Sequence, residues 1–365
     1  MGYIGYILLA ILVLLVMITV HEFGHYIAGK IFGFGIEEFA IGFGPKIFRK
    51  QNKKTGEYFS VRLLPIGGFC AFKGEDSEDD DPSAFNNKKP WQRIIVLVSG
   101  ALMNYLLALL IIVIMFFSYG QTMLMTYKVE PTQDPIYTVE NSFCDRDIII
   151  KANGKNVYLT TDLMNAISGK DAGETVSFVI RRGGEYKTLD ILLREDTDFK
   201  NVEHMEKLFS ALGIYMEVDG ESGTITSAGL YNTSVKFGFF QTIGKSVEYS
   251  FKLAGSIFTI LGQLLTGALG VSSIGGTVTT ISVTANAIRV GGIRNLLNIT
   301  SFIGVNLAVF NLLPVPALDG SRVVFTAIEW IRKKPLNRKV EAIIHTVGLV
   351  LILCFAVFID LQQCF

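Results

Sequence analysis

His21-Glu22-Phe23-Gly24-His25 follows directly on an uncharged apolar run, Ile4 to Val20. About 20 apolar residues cross a bilayer as a helix, so the run reads as a membrane span. A secretory signal peptide would need a basic start and a small-residue cleavage site. Met1 to Tyr6 holds no Lys or Arg, and the run ends in a histidine and a glutamate. On a helix, residues four apart share a face, so both imidazoles can bind one zinc ion. Glu22 then lies beside the metal without ligating it, placed to take a proton from water that the metal acidifies. Ionisable groups closing an apolar span are costly unless something compensates them. A pair of interfacial histidines that merely anchor the span is the alternative.

The rest of the chain is also organised by apolar blocks. Of its 365 residues 50% are hydrophobic and only 18% charged, against roughly 25% charged in soluble domains. Ile94 to Tyr119 is a second span, entered through Pro90-Trp91-Gln92-Arg93 with Trp91 and Arg93 read as interfacial; Leu296 to Leu318 is a third and Ala342 to Ile359 a fourth. Positive charge gathers in cytoplasmic loops. Lys46, Arg49, Lys50, Lys53, Lys54, Lys88 and Lys89 lie between spans one and two, and Arg332, Lys333, Lys334, Arg338 and Lys339 between spans three and four. Both loops are therefore expected in the cytoplasm, with both termini and the region Gln121 to Asn295 outside. The acidic run Glu75 to Asp81 reads as a solvated loop tip.

Leu253 to Leu269 is uncharged as well, but a fifth crossing there would put the basic 332–339 loop outside. Just before it, Lys245, Glu248 and Lys252 oppose Phe240, Ile243, Val247 and Phe251 on a helix, which suits an interfacial or re-entrant segment. Between Tyr127 and Leu193, short β-rich runs (147–150, 175–180 and 187–193) alternate with Asn-Gly and Gly-Gly turns, and 161–168 reads as a short helix. This is expected to be a small soluble β-rich domain. Cys70, Cys144, Cys354 and Cys364 are far apart with no CxxC pair, which argues against a disulfide framework or a cysteine zinc site. Formal net charge is zero, and nothing points to nucleic acid.

Two histidines are few for a catalytic zinc, which usually has three protein ligands plus water. Glu37 and Glu38 are the nearest acids, but they fall in a Gly-rich stretch. Asp319 is the better third ligand, in Asn311-Leu-Leu-Pro-Val-Pro-Ala-Leu-Asp-Gly320 at the end of an otherwise uncharged span. Spans one and three both enter from outside and reach His21 after about 17 and Asp319 after about 23 residues, which brings the groups to similar depth. Pro314 and Pro316 break the helix there, and freed backbone at that depth must be buried in protein or line a cavity. Asn311 has a claim to the site, eight residues before Asp319. Asn104 and Asn306 are read as ordinary interhelical hydrogen bonders. His204 is read as solvated, and His345 as an interfacial or packing residue.

These stretches resemble the site-2 protease family of intramembrane zinc metalloproteases (M50-type), and most closely its RseP/RasP-like bacterial branch. Phe39-Ala-Ile-Gly-Phe-Gly-Pro45 and Pro65-Ile-Gly-Gly-Phe69 fit the same family in order. The resemblance implies zinc bound by His21, His25 and Asp319, with Glu22 as catalytic base. It implies that Pro65, Ile66, Gly67, Gly68 and Phe69 belong to a membrane-associated β-hairpin that holds substrate in extended form; Asn311, from its place before Asp319, is read as a further substrate contact. The expected fold is an α-helical polytopic membrane protein of about four transmembrane helices, with that hairpin and an extracytoplasmic PDZ-like α+β domain. Expected partners are the lipid bilayer, single-span membrane substrates such as anti-sigma factors or remnant signal peptides, and an upstream site-1 protease. The expected location is a bacterial inner membrane.

The expected division is 1–31, first span with the zinc motif; 32–90, cytoplasmic loop with the hairpin; 91–120, second span; 121–215, PDZ-like domain; 216–295, interfacial or re-entrant segment; 296–330, third span; 331–341, basic loop; and 342–365, fourth span. Three stretches depart from the family: Gly100-Ala-Leu-Met-Asn104 lacks a proline, Gly275-Gly276-Thr277-Val278 replaces Gly-Pro-Val-Gly, and Phe143-Cys-Asp-Arg-Asp147 stands where the PDZ signature belongs. The last favours a size filter over carboxylate-peptide binding. A transporter would also use broken helices, but neither mid-span charges in several helices nor repeat symmetry are present. An inactive client-binding relative would be expected to lack part of the set His21, Glu22, His25 and Asp319, which is intact.

Overall fold

The computed structural model describes residues 2–75, 79–127, 129, 142–167, 169–170, 173–192, 214, 216–218, 225–267 and 275–364. His204 and the centre of the acidic run lie outside them. The chain forms two compact units, one of residues 1–117 with 238–365 and one of residues 118–237.

In the first unit, α1 (Tyr3–Ile31) runs well past the apolar stretch that defines it in sequence. α2 is Pro90–Tyr119, α4 Phe239–Leu265, α5 Thr277–Leu312, α6 Asp319–Arg332 and α7 Arg338–Cys364. Among the described residues four helices are long and apolar enough to cross a membrane: α1, α2, α5 and α7. Many of their large apolar side chains, such as Leu8, Leu110, Leu351 and Val357, are more than half exposed. Such surface fits a lipid-facing helix and would be a liability in water.

The helix that carries the expected third span, α5, starts at Thr277, bends at Gly292 (φ 58°, ψ −144°) and stops at Leu312, short of the expected end at Leu318. Only glycine adopts that backbone readily. Residues 253–265 form the second half of a 27-residue helix begun at Phe239, which also carries the amphipathic 240–252 run. That helix buries Thr242, Ser246 and Ser250 and turns Phe240, Phe251 and Phe258 outward. Its polar stripe meets α2, where the Tyr105 and Ser250 hydroxyls lie 2.8 Å apart.

Between α1 and α2 lies the hairpin of β1 (Ile36–Gln51) and β2 (Tyr58–Phe72). Both strands bend, so residues 38–41 pair with 58–61 on one side and with 68–71 on the other, while 46–51 return along 58–62. The result is four short strands in the order 46–51, 58–62, 36–41, 68–72, with 68–72 at one edge. Phe34, Ile36, Phe72 and Phe85 pack with Ala28 of α1 and with Val96 and Leu97 of α2, anchoring the sheet.

The second unit has its own core. β3 (Gln121–Thr126), β4 (Ile148–Ala152), β6 (Thr175–Arg182), β7 (Glu185–Leu192) and β10 (Leu230–Val235) form an antiparallel sheet in the order β10-β3-β4-β6-β7. β5 (Lys155–Asn156) pairs with β4, and β8 (Met216–Val218) with β9 (Ile225–Ala228). α3 (Thr160–Ile167) sets Leu163 and Ile167 against Phe178, Ile180 and Leu189. The unit reaches beyond residue 215 because β10 pairs along β3. In the 143–147 stretch, Asp147 is fully buried, takes two hydrogen bonds from Arg182 and accepts the Cys144 N–H.

Candidate active site

The apolar spacing that makes α1 a helix also stacks His21 over His25 on one face, and both side chains are buried. Asp319 enters from 298 residues away in sequence. One of its carboxylate oxygens lies 2.9 Å from His21 Nε2 and 3.3 Å from His25 Nε2, and the two Nε2 atoms are 3.1 Å apart. The three ligand-type atoms all lie within 4.8 Å of one another. Asp319 reaches this point because α5 ends at Leu312 and a new helix begins at Asp319 itself. The turn between them contains Ala317 at φ 79°, a strained conformation for a residue with a Cβ. Its N–H donates to Nδ1 of His345, 3.2 Å away, so His345 does more than pack against Phe325.

The surrounding shell orients the imidazoles. His25 Nδ1 donates to the Val96 carbonyl at 2.8 Å, leaving the Nε2 lone pair aimed at the cluster. The Asn311 carboxamide lies 3.3 Å from His21 Nδ1. α2 comes very close at this level: a Cβ on Gly24 would sit 2.4 Å from the Ser99 carbonyl, and one on Gly100 would sit 2.4 Å from His25 Nε2. Two imidazole nitrogens and one carboxylate oxygen, converging with their lone pairs inward, match the donor set and ligand number of a catalytic zinc.

Glu22 faces the sheet. Its Cγ lies 3.5 Å from where a Gly68 Cβ would be. The Pro65 to Phe69 stretch therefore leads from the bend of β2 into the edge strand passing Glu22. At the far end of that strand, the Phe72 N–H donates to Glu75, which is ion-paired with Arg322 one turn after Asp319. Glu37 and Glu38 play no part in the cluster; Glu38 is held by Ser60, Arg62 and Lys46.

Two further residues singled out from sequence are buried. Arg93 is paired with buried Glu329 at 2.6 Å. Asn104 is fully buried, and its carboxamide has no hydrogen-bond partner among the described residues. Val96 and the Glu75–Arg322 pair were not singled out from sequence. The first acts through a main-chain atom, which carries no residue signature, and the second joins distant segments.

The Peptidase family M50 model matches residues 9–355. A protein of Clostridium perfringens provisionally named a zinc metalloprotease is 33% identical over 362 residues, covering 98% of both chains. Another from Clostridium acetobutylicum is 30% identical, covering 98% of this chain and 96% of its own. The zinc metalloprotease RasP of Bacillus licheniformis is 27% identical, covering 97% of this chain and 98% of its own. With these matches running through both the HEFGH helix and the Asp319 turn, the chain belongs to peptidase family M50 and is a zinc-dependent protease of the membrane.

Proposed function

We propose that the protein hydrolyses peptide bonds within or beside the transmembrane segments of single-span membrane proteins, with His21, His25 and Asp319 holding zinc and Glu22 as general base. The observation that carries this reading is the meeting of His21, His25 and Asp319 from α1 and α6, in helices whose neighbours are long enough to cross a bilayer. When bound, zinc supplies a Lewis acid that polarises the scissile carbonyl and acidifies water. Glu22 takes the proton of the attacking water and passes it to the leaving amine. The edge strand passes the Glu22 side chain at Gly68, and Asn311 orients His21.

A transmembrane helix hides its carbonyls in its own hydrogen bonds and must unwind before attack. The edge strand 68–72 carries no further strand among the described residues, and it offers an unwound segment a partner to pair with. Both termini and the 121–215 region face outward from a bacterial inner membrane in this reading, with the basic loops in the cytoplasm. The outer unit acts as a size filter, admitting substrates already trimmed by a site-1 protease; anti-sigma factors and remnant signal peptides are substrates of that kind. Buried Asp147 occupies the Cys144 N–H, which favours filtering over capture of a peptide carboxylate.

The test compares wild type with Glu22→Gln in detergent on a tagged single-span substrate, with zinc measured on the same samples. Both proteins should hold one zinc, and the variant should lose cleavage by at least about 10²-fold. Cleavage by Glu22→Gln at the wild-type rate would remove Glu22 from its role, and loss of zinc from the variant would undo the separation of base from ligands.

A further inference from the structure

α1 continues past the histidines, and its next turns wall a second cavity. Phe23 and Tyr26 stack at 6.1 Å, Tyr26 meets Phe39 edge-on at 5.5 Å, and Phe39 stacks on Phe59 at 6.1 Å. Together with the 50–59 part of the hairpin they enclose about 610 Å³, within the range of ligand sites. The buried acid of this cavity, Glu57, is already satisfied: it is ion-paired with Lys30 and accepts from Tyr26 Oη at 3.2 Å and Asn52 Nδ2 at 3.3 Å. The aromatic wall is therefore not a cage for a cation. The charges left at the mouth are Lys50 and Lys53, both exposed and neither with an anionic partner among the described residues.

Depth decides what such a site would meet. Tyr26 lies 23 residues after Tyr3 on one helix, a rise of about 34 Å. The hydrocarbon core is about 30 Å thick, so with α1 crossing the bilayer the cavity opens at the level of the lipid phosphates. We infer that this cavity binds one anionic phospholipid, its phosphate between Lys50 and Lys53 and its glycerol and first methylenes against Phe23, Phe39 and Phe59. The lipid then fixes the hairpin at one depth in the leaflet and steadies the 68–72 edge beside Glu22. The inference needs α1 to span the membrane but is independent of the zinc-ligand assignment.

The full chain would be placed in nanodiscs of equal phosphatidylglycerol and phosphatidylcholine with matched acyl chains, and retained lipid counted by native mass spectrometry. Each lysine near an anionic headgroup contributes about fivefold, so wild type should retain one phosphatidylglycerol with about twenty-five-fold preference. Lys50→Gln/Lys53→Gln should lose that preference, while Lys54→Gln/Lys334→Gln, with the same charge change elsewhere, should keep it. A photoreactive phosphatidylglycerol should label residues 50–59 in wild type. Equal retention of both lipids, or equal loss in both variants, would overturn the site in favour of diffuse surface charge. Displacement by millimolar inorganic phosphate would make it a simple anion site, and displacement by a single-span substrate would make it a substrate pocket; either overturns the lipid assignment.

Discussion

Gly100→Ala adds one methyl group where the metal cluster leaves no room for it. The added Cβ would sit 2.4 Å from His25 Nε2, 2.7 Å from His25 Cε1 and 2.8 Å from His21 Cε1. Unstrained carbon contacts lie at about 3.5–4.0 Å, so the imidazoles must retreat by about 1 Å or α2 must move away from α1. Metal sites hold their ligand distances to within about 0.2 Å, and a misplacement of about 1 Å costs about 10²-fold in rate. The helix itself should not suffer, since alanine is favoured over glycine in a helix by up to about 1 kcal/mol. The variant should therefore keep the melting temperature of the metal-free protein in detergent, lose most of its zinc by mass spectrometry, and cut a single-span substrate about 10²-fold more slowly. Gly244→Ala on α4, where an added Cβ meets nothing within 4 Å, is the matched control and should behave as wild type. Full zinc occupancy with cleavage within threefold of wild type in Gly100→Ala would refute the packing argument and the ligand geometry behind it.

Other perturbations probe the scaffold. Glu329→Ala strands buried Arg93 and should cost about 3–5 kcal/mol, whereas Arg93→Met/Glu329→Leu should recover most of that; equal losses in denaturant titrations would contradict it. Arg322→Glu breaks the link from α6 to Glu75 and the end of the edge strand, and should raise KM with zinc retained. The swap Glu75→Arg/Arg322→Glu should restore part of the affinity, and a swap no better than the single change would deny the pair a positioning role. Burial pushes the Glu38 carboxyl up, but hydrogen bonds from Ser60, Arg62 and Lys46 outweigh it and hold it below the usual range. Its contribution to the hairpin is thus full at neutral pH and lost as pH falls from about 4.3 through the lowered value. Proteolysis of the hairpin should accelerate below about pH 4 in wild type, and Glu38→Gln should show a flatter profile; parallel profiles would exclude Glu38 as the cause.

Much of the helical frame was legible along the chain, because a span must be long, apolar and nearly free of charge wherever it packs. The uncharged runs of α1, α2 and α7 and the His21–His25 spacing are local properties of this kind. The pairing of Asp319 with them was reached by matching depths along two helices. The bend at Gly292 was missed because the Gly291-Gly292 pair does not announce its φ within a helical pattern, and the 277–291 turns carry Arg289 and several threonines that dilute the apolar signal. The Arg93–Glu329 pair was not foreseen because its members lie 236 residues apart.

The sequence by itself determined that this is a membrane protein carrying a zinc-type His-Glu-His helix, since hydrophobic length and i, i+4 spacing are fixed by covalent order and helix geometry. Only the tertiary structure decided which atoms face one another. Val96 O turns His25, Gly68 meets Glu22, Gly100 gives way to both histidines, and the hairpin folds into four strands with 68–72 at the edge. Those contacts run through main-chain groups and through residues far apart in the chain, and close packing of helices sets them where no local pattern can.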